Sequence, residues 1–94
     1  MTDATTRLEG LVDRLESRLA QVPELNDYSD WPKVKAATAE IVDEFARDDG
    51  ARYRETGSEH VFRMAGFSAS STSSQLGALR NWCAGARRRL GRDG

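Results

Sequence analysis

A mainly α-helical single domain of three or four short helices is what this sequence predicts, with a short β-hairpin at about 52–64 as the competing form of one stretch. Three observations carry that expectation. Apolar residues recur at spacings of three and four in the early, middle and last parts of the chain, which is the period of one helical face. Ninety-four residues, 38% of them hydrophobic, suffice for one modest core and not for two. The mean hydropathy of −0.65 is low, yet two Trp, three Phe and the regular Leu and Val spacing argue against disorder.

The single domain is expected to span 1–94, with the polar residues 1–5 and 92–94 frayed. From about Thr6 to Val22, the positions Leu8, Val12, Leu15, Leu19 and Val22 alternate by four and three, with Leu11 beside the seam. This is an amphipathic helix with coiled-coil spacing. Its few turns are too short for a stable isolated coiled coil. Packing on the rest of the domain is therefore preferred to a homodimer through the first helix, which stands as the alternative. Pro23 ends the helix by pushing the preceding residue out of helical geometry. Asn26-Asp27-Tyr28-Ser29-Asp30 reads as a turn-rich connector. A second helix follows from Trp31 to at least Arg47, with Asp30 as N-cap and Pro32 tolerated in the first turn. Trp31, Val34, Thr38, Ile41, Val42 and Phe45 form its buried stripe, and Glu40, Glu44, Asp48 and Asp49 its acidic exposed side.

Residues 51–66 admit two forms. Asp48-Asp49-Gly50 looks like a stop, but Asp48 and Arg52 stand four apart and Tyr53 continues the apolar stripe. The helix is therefore expected to run to Glu55 and end at Thr56-Gly57-Ser58. The competing form makes Arg52–Glu55 and His60–Met64 two strands around that turn. The last helix opens at a capping box, Thr72-Ser73-Ser74-Gln75, in which Thr72 and Gln75 satisfy each other's backbone amides. Leu76, Leu79, Cys83, Ala86 and Leu90 form its apolar face, with Trp82 beside them. Arg87, Arg88, Arg89 and Arg92 crowd its end, where positive charge suits the helix dipole, and Gly91 is placed as the stop.

If Glu59–Ala65 is a short helix and Phe67–Ser71 a turn, the segment VFRMAGFSASSTSS (61–74) resembles the AG-hydrophobic-S-x-x-T/S core of helix-turn-helix DNA-binding motifs. Phe62 and Thr72 depart from that pattern, standing where such motifs place a small residue and a buried Val or Ile. In such a motif a small residue and a Gly permit the tight turn, and an apolar residue anchors it. Short hydroxyl side chains then cap the second helix and contact phosphates. Arg63, Arg80, Arg87, Arg88 and Arg89 are suited to neutralise phosphates, and Ser70, Ser71, Ser73 and Ser74 to hydrogen-bond them. Asn81 and Gln75 are of the types that read base edges.

The formal net charge of −1 hides an asymmetry. Residues 1–50 hold 6 Lys/Arg against 12 Asp/Glu, a net −6, and residues 51–94 hold 8 Arg against 3 Asp/Glu, a net +5. An acidic face and a basic face are implied, and either suits a partner of opposite charge. Enzymatic chemistry is poorly supplied. His60 is the sole histidine, and neither C-x-x-C, H-E-x-x-H, a carboxylate metal loop nor a G-x-S-x-G context occurs. Cys83, the single cysteine, excludes an internal disulfide, suits a reducing cytoplasm and sits on an apolar face as a buried thiol. No apolar run approaches the roughly 18 residues of a membrane helix. The first ten residues lack the basic-then-apolar order of a secretory leader. The expectation is a non-enzymatic, cofactor-free DNA-associated protein, in character a phage or mobile-element regulator or accessory. The alternative is a protein-interaction adaptor or inhibitor working through the acidic Glu40, Glu44 and Asp48.

Overall fold

The computed structural model describes residues 2–23 and 28–91. Along the chain come α1 (Thr2–Leu19), α2 (Trp31–Asp49), β1 (Arg52–Glu55), β2 (His60–Met64), β3 (Phe67–Ser71) and α3 (Gln75–Arg89). The strands form one antiparallel sheet in the order β1-β2-β3. The chain is thus mainly helical, but a three-stranded sheet stands where at most a short hairpin was expected. Residue 1, residues 24–27 of the connector region, and 92–94 with Arg92 and the expected C-terminal fraying lie outside the described residues.

The first helix begins at Thr2 rather than Thr6, so the backbone of 2–5, expected to fray, is helical. It closes through bonds from the Gln21 N–H to the Arg18 carbonyl and from Val22 to Leu19, a three-residue spacing that tightens the chain before Pro23. Leu11, Val12 and Leu15 are buried, and Leu8, Leu19 and Val22 pack on the same core. The heptad seam is used inside the domain.

In α2, Val34, Thr38, Ile41, Val42 and Phe45 are buried as the stripe predicts, while Trp31 is only half-buried. Asp30 stands at the N-cap in helical geometry, as the end of a 3₁₀ turn over Tyr28–Asp30. The Thr38 hydroxyl donates to the Val34 carbonyl at 2.8 Å, so the one polar side chain of the stripe is satisfied in place. Asp48-Asp49-Gly50 is a true stop. Gly50 takes φ +70°, and the N–H groups of Gly50 and Ala51 both turn back to the Phe45 carbonyl. The expected run of the helix to Glu55 is overturned, because the left-handed turn at Gly50 re-aims the chain and buries Ala51.

Beyond it the pattern has period two. Tyr53 pairs with Phe62 on the inner face of the sheet, and Arg52 and Arg54 point outward. The Thr56 N–H donates to the Glu59 carbonyl at 2.8 Å across the loop joining β1 to β2. β2 and β3 are joined by Ala65-Gly66 alone, at φ 56° and 87°. Positive φ at both central residues is the signature of the primed two-residue hairpin turn, whose twist matches that of the strands. This overturns the helix-turn-helix-like reading of 61–74. Its small residue and glycine serve a strand-to-strand turn, Ser68, Ser70 and Ser71 lie in a strand, and Ser73 and Ser74 link that strand to the last helix.

The helix α3 lies in contact with β2, β3, α1 and α2. Its N-cap is Ser74, in extended geometry, whose Oγ accepts from the Gly77 N–H at 2.9 Å. The expected capping box at Thr72 is corrected by two residues: Gln75 is the first helical position and is not placed to close such a box. Trp82, fully buried, is the centre of the core. Its ring stacks on Phe67 at 4.8 Å and meets Phe62 edge-on at 6.0 Å. Its indole N–H reaches the carbonyls of Met64 and Phe67 at 3.1 and 3.3 Å, the two residues that flank the hairpin turn. Trp82 thereby clamps the turn of the sheet onto the helix.

Candidate nucleic-acid interface

The alternation that buries Phe62, Met64 and Phe67 and packs Tyr53 against them sends the other residues of each strand outward. Arg52 of β1 lies directly opposite Arg63 of β2, which lies opposite Ser68 of β3. In the next row Arg54, Val61 and Ser70 stand side by side. Arg52, Arg54 and Arg63 are exposed, and among the described residues none of them meets a carboxylate. A shallow depression of 490 Å³ bordered by these three arginines and Ser68 runs over this face. Like charges directly opposite on a sheet destabilise it. Folding alone gives no reason for this pairing.

Ser68 also borders a second depression, of 560 Å³, along the free edge of β3, together with Asn81, Gly85, Arg88 and Arg89. The basic surface therefore continues around that edge to the end of α3. Asn81, a candidate reader of bases, donates its side-chain amide to the Ser70 carbonyl at 2.7 Å and ties β3 to the helix. The guanidinium of Arg89 lies 4.2 Å from the centre of the Phe67 ring, held by the face of the aromatic system.

The residues expected to act together are thus distributed over several surfaces. Arg63 and Ser70 share the outer sheet face; Arg88 and Arg89 lie at the β3 edge. Ser71 and Ser73 bond to each other at 2.9 Å and, with Ser74 as cap, shape the link into α3. Arg80 and Arg87 face the α1 side, around a depression they share with Glu16. Of the alternative acidic set, Glu40 and Asp48 are exposed. Glu44 instead accepts from Arg18 at 2.9 Å and lies 4.0 Å from Arg14, which also pairs with Asp49. Arg52, Arg54 and Ser68 were missed. The signal for them was the R-x-R alternation at 52–54, visible only once the stretch is read as strand.

Arg87 donates from Nε to Glu16 at 2.8 Å and pairs with it again through Nη2. That hydrogen bonding holds the Glu16 carboxyl below its ordinary value, against a smaller opposing push from desolvation, and raises Arg87 in return. A carboxyl lowered in the folded state stabilises the fold above its unfolded value, and the contribution is lost as pH falls through the folded one. Glu16→Gln is therefore expected to lower the urea midpoint at about pH 7 and to leave it close to that of the parent at about pH 3. An equal deficit at both values would mean that packing, not charge, links α1 to α3.

Burial pushes the Cys83 thiol up to about 12, with Glu16 adding to the shift and Arg87 opposing it. The thiol stays protonated at neutral pH and is no nucleophile. Among the described residues no group of three His, Cys, Asp or Glu is placed to hold a metal, and no helix is long and apolar enough to cross a membrane. No protein-family model, curated protein or solved structure matches this chain.

Proposed function

We propose that this chain is a non-enzymatic nucleic-acid-associated protein that holds the phosphate backbone on the outer face of its sheet. The observation that carries the reading is Arg52 directly opposite Arg63, with Arg54 beside them and, among the described residues, no acid paired with them to relieve the repulsion. A polyanion converts that repulsion into binding, because each guanidinium that neutralises a phosphate releases a counterion. The dimensions suit a duplex. Three strands about 4.8 Å apart span roughly 10 Å, within the about 12 Å of a B-DNA major groove. Ser68 and Ser70 supply hydroxyl donors, and Arg88 extends the basic band around the β3 edge. The size, charge split and lack of catalytic groups suit a cytoplasmic regulator or packaging accessory of a phage or other mobile element.

Binding to mixed-sequence duplex DNA is the test. With three phosphates neutralised, log K is expected to fall with log salt at a slope of about −2.7, a loss of roughly 40-fold between about 50 and 200 mM. No binding at the lower salt would sink the reading. A protein adaptor acting through Glu40 and Asp48 would then be the working alternative, and Glu40→Gln with Asp48→Asn the variant to carry into a partner search.

A further inference from the structure

A cleft of 360 Å³ opens on the opposite side of β1 from the arginine face. One wall is the first turns of α2, with Trp31 and Lys35; another is the hairpin, with Tyr53 and His60; the start of α3 contributes Gln75. The Tyr53 hydroxyl and His60 Nδ1 are 2.6 Å apart and their rings lie nearly parallel, 21° from coplanar, so the hairpin wall is a preset aromatic surface. Trp31 is half-exposed, in a protein whose other tryptophan is fully buried. Among the described residues, the Trp31 indole and the Lys35 and Gln75 side chains have no hydrogen-bond partner. Tyr53 borders both this cleft and the depression on the arginine face. Because β1 is an edge strand, the two surfaces are separated by the width of a single strand.

A half-exposed tryptophan beside a fixed tyrosine, with unused polar groups at the rim, matches what an unpaired nucleobase requires. Stacking on aromatic faces holds the ring, and an amide such as Gln75 hydrogen-bonds its edge. We infer that the cleft takes one unpaired base of a nucleic-acid strand whose phosphates lie on Arg52, Arg54 and Arg63, with Trp31 as its stacking platform. The inference rests on the nucleic-acid reading above. It adds to that reading a preference for single-stranded or locally opened substrate.

Emission from Trp31 distinguishes the two surfaces, since Trp82 is sealed in the core. A single-stranded oligonucleotide is expected to quench it, and a blunt duplex of the same sequence to bind without quenching. Trp31→Ala should weaken single-strand binding roughly tenfold while leaving duplex affinity within about twofold. Trp31→Phe, which keeps a ring, should restore most of the loss and guards against a folding defect. Single-strand binding that neither quenches nor responds to Trp31→Ala would overturn the cleft and leave the arginine face standing. If the wild-type protein binds neither nucleic acid, the arginine face fails, and a nucleoside 5′-monophosphate titration decides the cleft separately. A shift of the Trp31 indole N–H resonance would then support it, and an unchanged spectrum would overturn it.

Discussion

Trp82→Ala is expected to remove a large part of this domain's stability. Truncating a fully buried tryptophan costs about 3–5 kcal/mol for lost burial and the cavity left behind. Here the same ring stacks on Phe67 and braces Phe62, so both β2 and β3 lose their central packing partner on α3. The carbonyls of Met64 and Phe67 also lose the indole donor, at about 1–3 kcal/mol if they stay buried without a partner. Domains of this size have a total stability of roughly 5–15 kcal/mol. A fall in Tm of about 15 °C or more should appear in a circular-dichroism melt. Trp82→Phe, which keeps a ring but no N–H, should fall between the two. A Trp82→Ala protein melting within a few degrees of the parent would show that the helix and sheet are held together elsewhere.

Replacing Arg52, Arg54 and Arg63 together by alanine is expected to weaken duplex binding on the order of 100-fold or more at low salt and to flatten the salt slope by about 2.7. The same variant should fold at least as well as the parent, because the Arg52–Arg63 repulsion is removed and no salt bridge among the described residues is broken. That combination of lost binding and kept stability is what distinguishes a functional face from a structural one. Arg80→Ala, on the α1 side, should leave binding within about twofold and serves as the control. A cluster variant at Arg87, Arg88 and Arg89 is less informative. It would also remove the Glu16 pair and the cation over Phe67, mixing folding with binding. Undiminished affinity in the sheet-face variant would move the candidate interface away from the sheet.

Much of the helical framework was legible in the chain. Leu11, Val12 and Leu15, the stripe from Val34 to Phe45, and Leu79, Cys83 and Ala86 are buried where their three-and-four spacing places them. Gly91, at φ +73°, follows the last helix as its local stop signal predicts, whereas the first helix closes at Leu19, short of Pro23, and the second stops at Gly50 instead of running on to Glu55. The misread stretch, 51–74, is where two periods competed. Tyr53 fits a helical stripe continued from Phe45 as well as a strand opposite Phe62. The serines of 68–74 have little strand preference of their own. Phe67–Ser71 becomes β3 because Trp82, eleven residues beyond its end, gives Phe67 a buried surface to meet.

The sequence by itself therefore determined the amphipathic faces, the buried thiol and the uneven distribution of charge, since each follows from residues within a turn or two of one another. Only the tertiary structure decided which arginines share a surface. Arg87 is drawn to Glu16 and Arg89 to Phe67, while Arg52, Arg54 and Arg63, less conspicuous along the chain, are gathered onto one face. The physical reason is that strand pairing is non-local. A register set by the hairpin turn and by burial beneath α3 places residues eleven apart in sequence, Arg52 and Arg63, directly opposite each other.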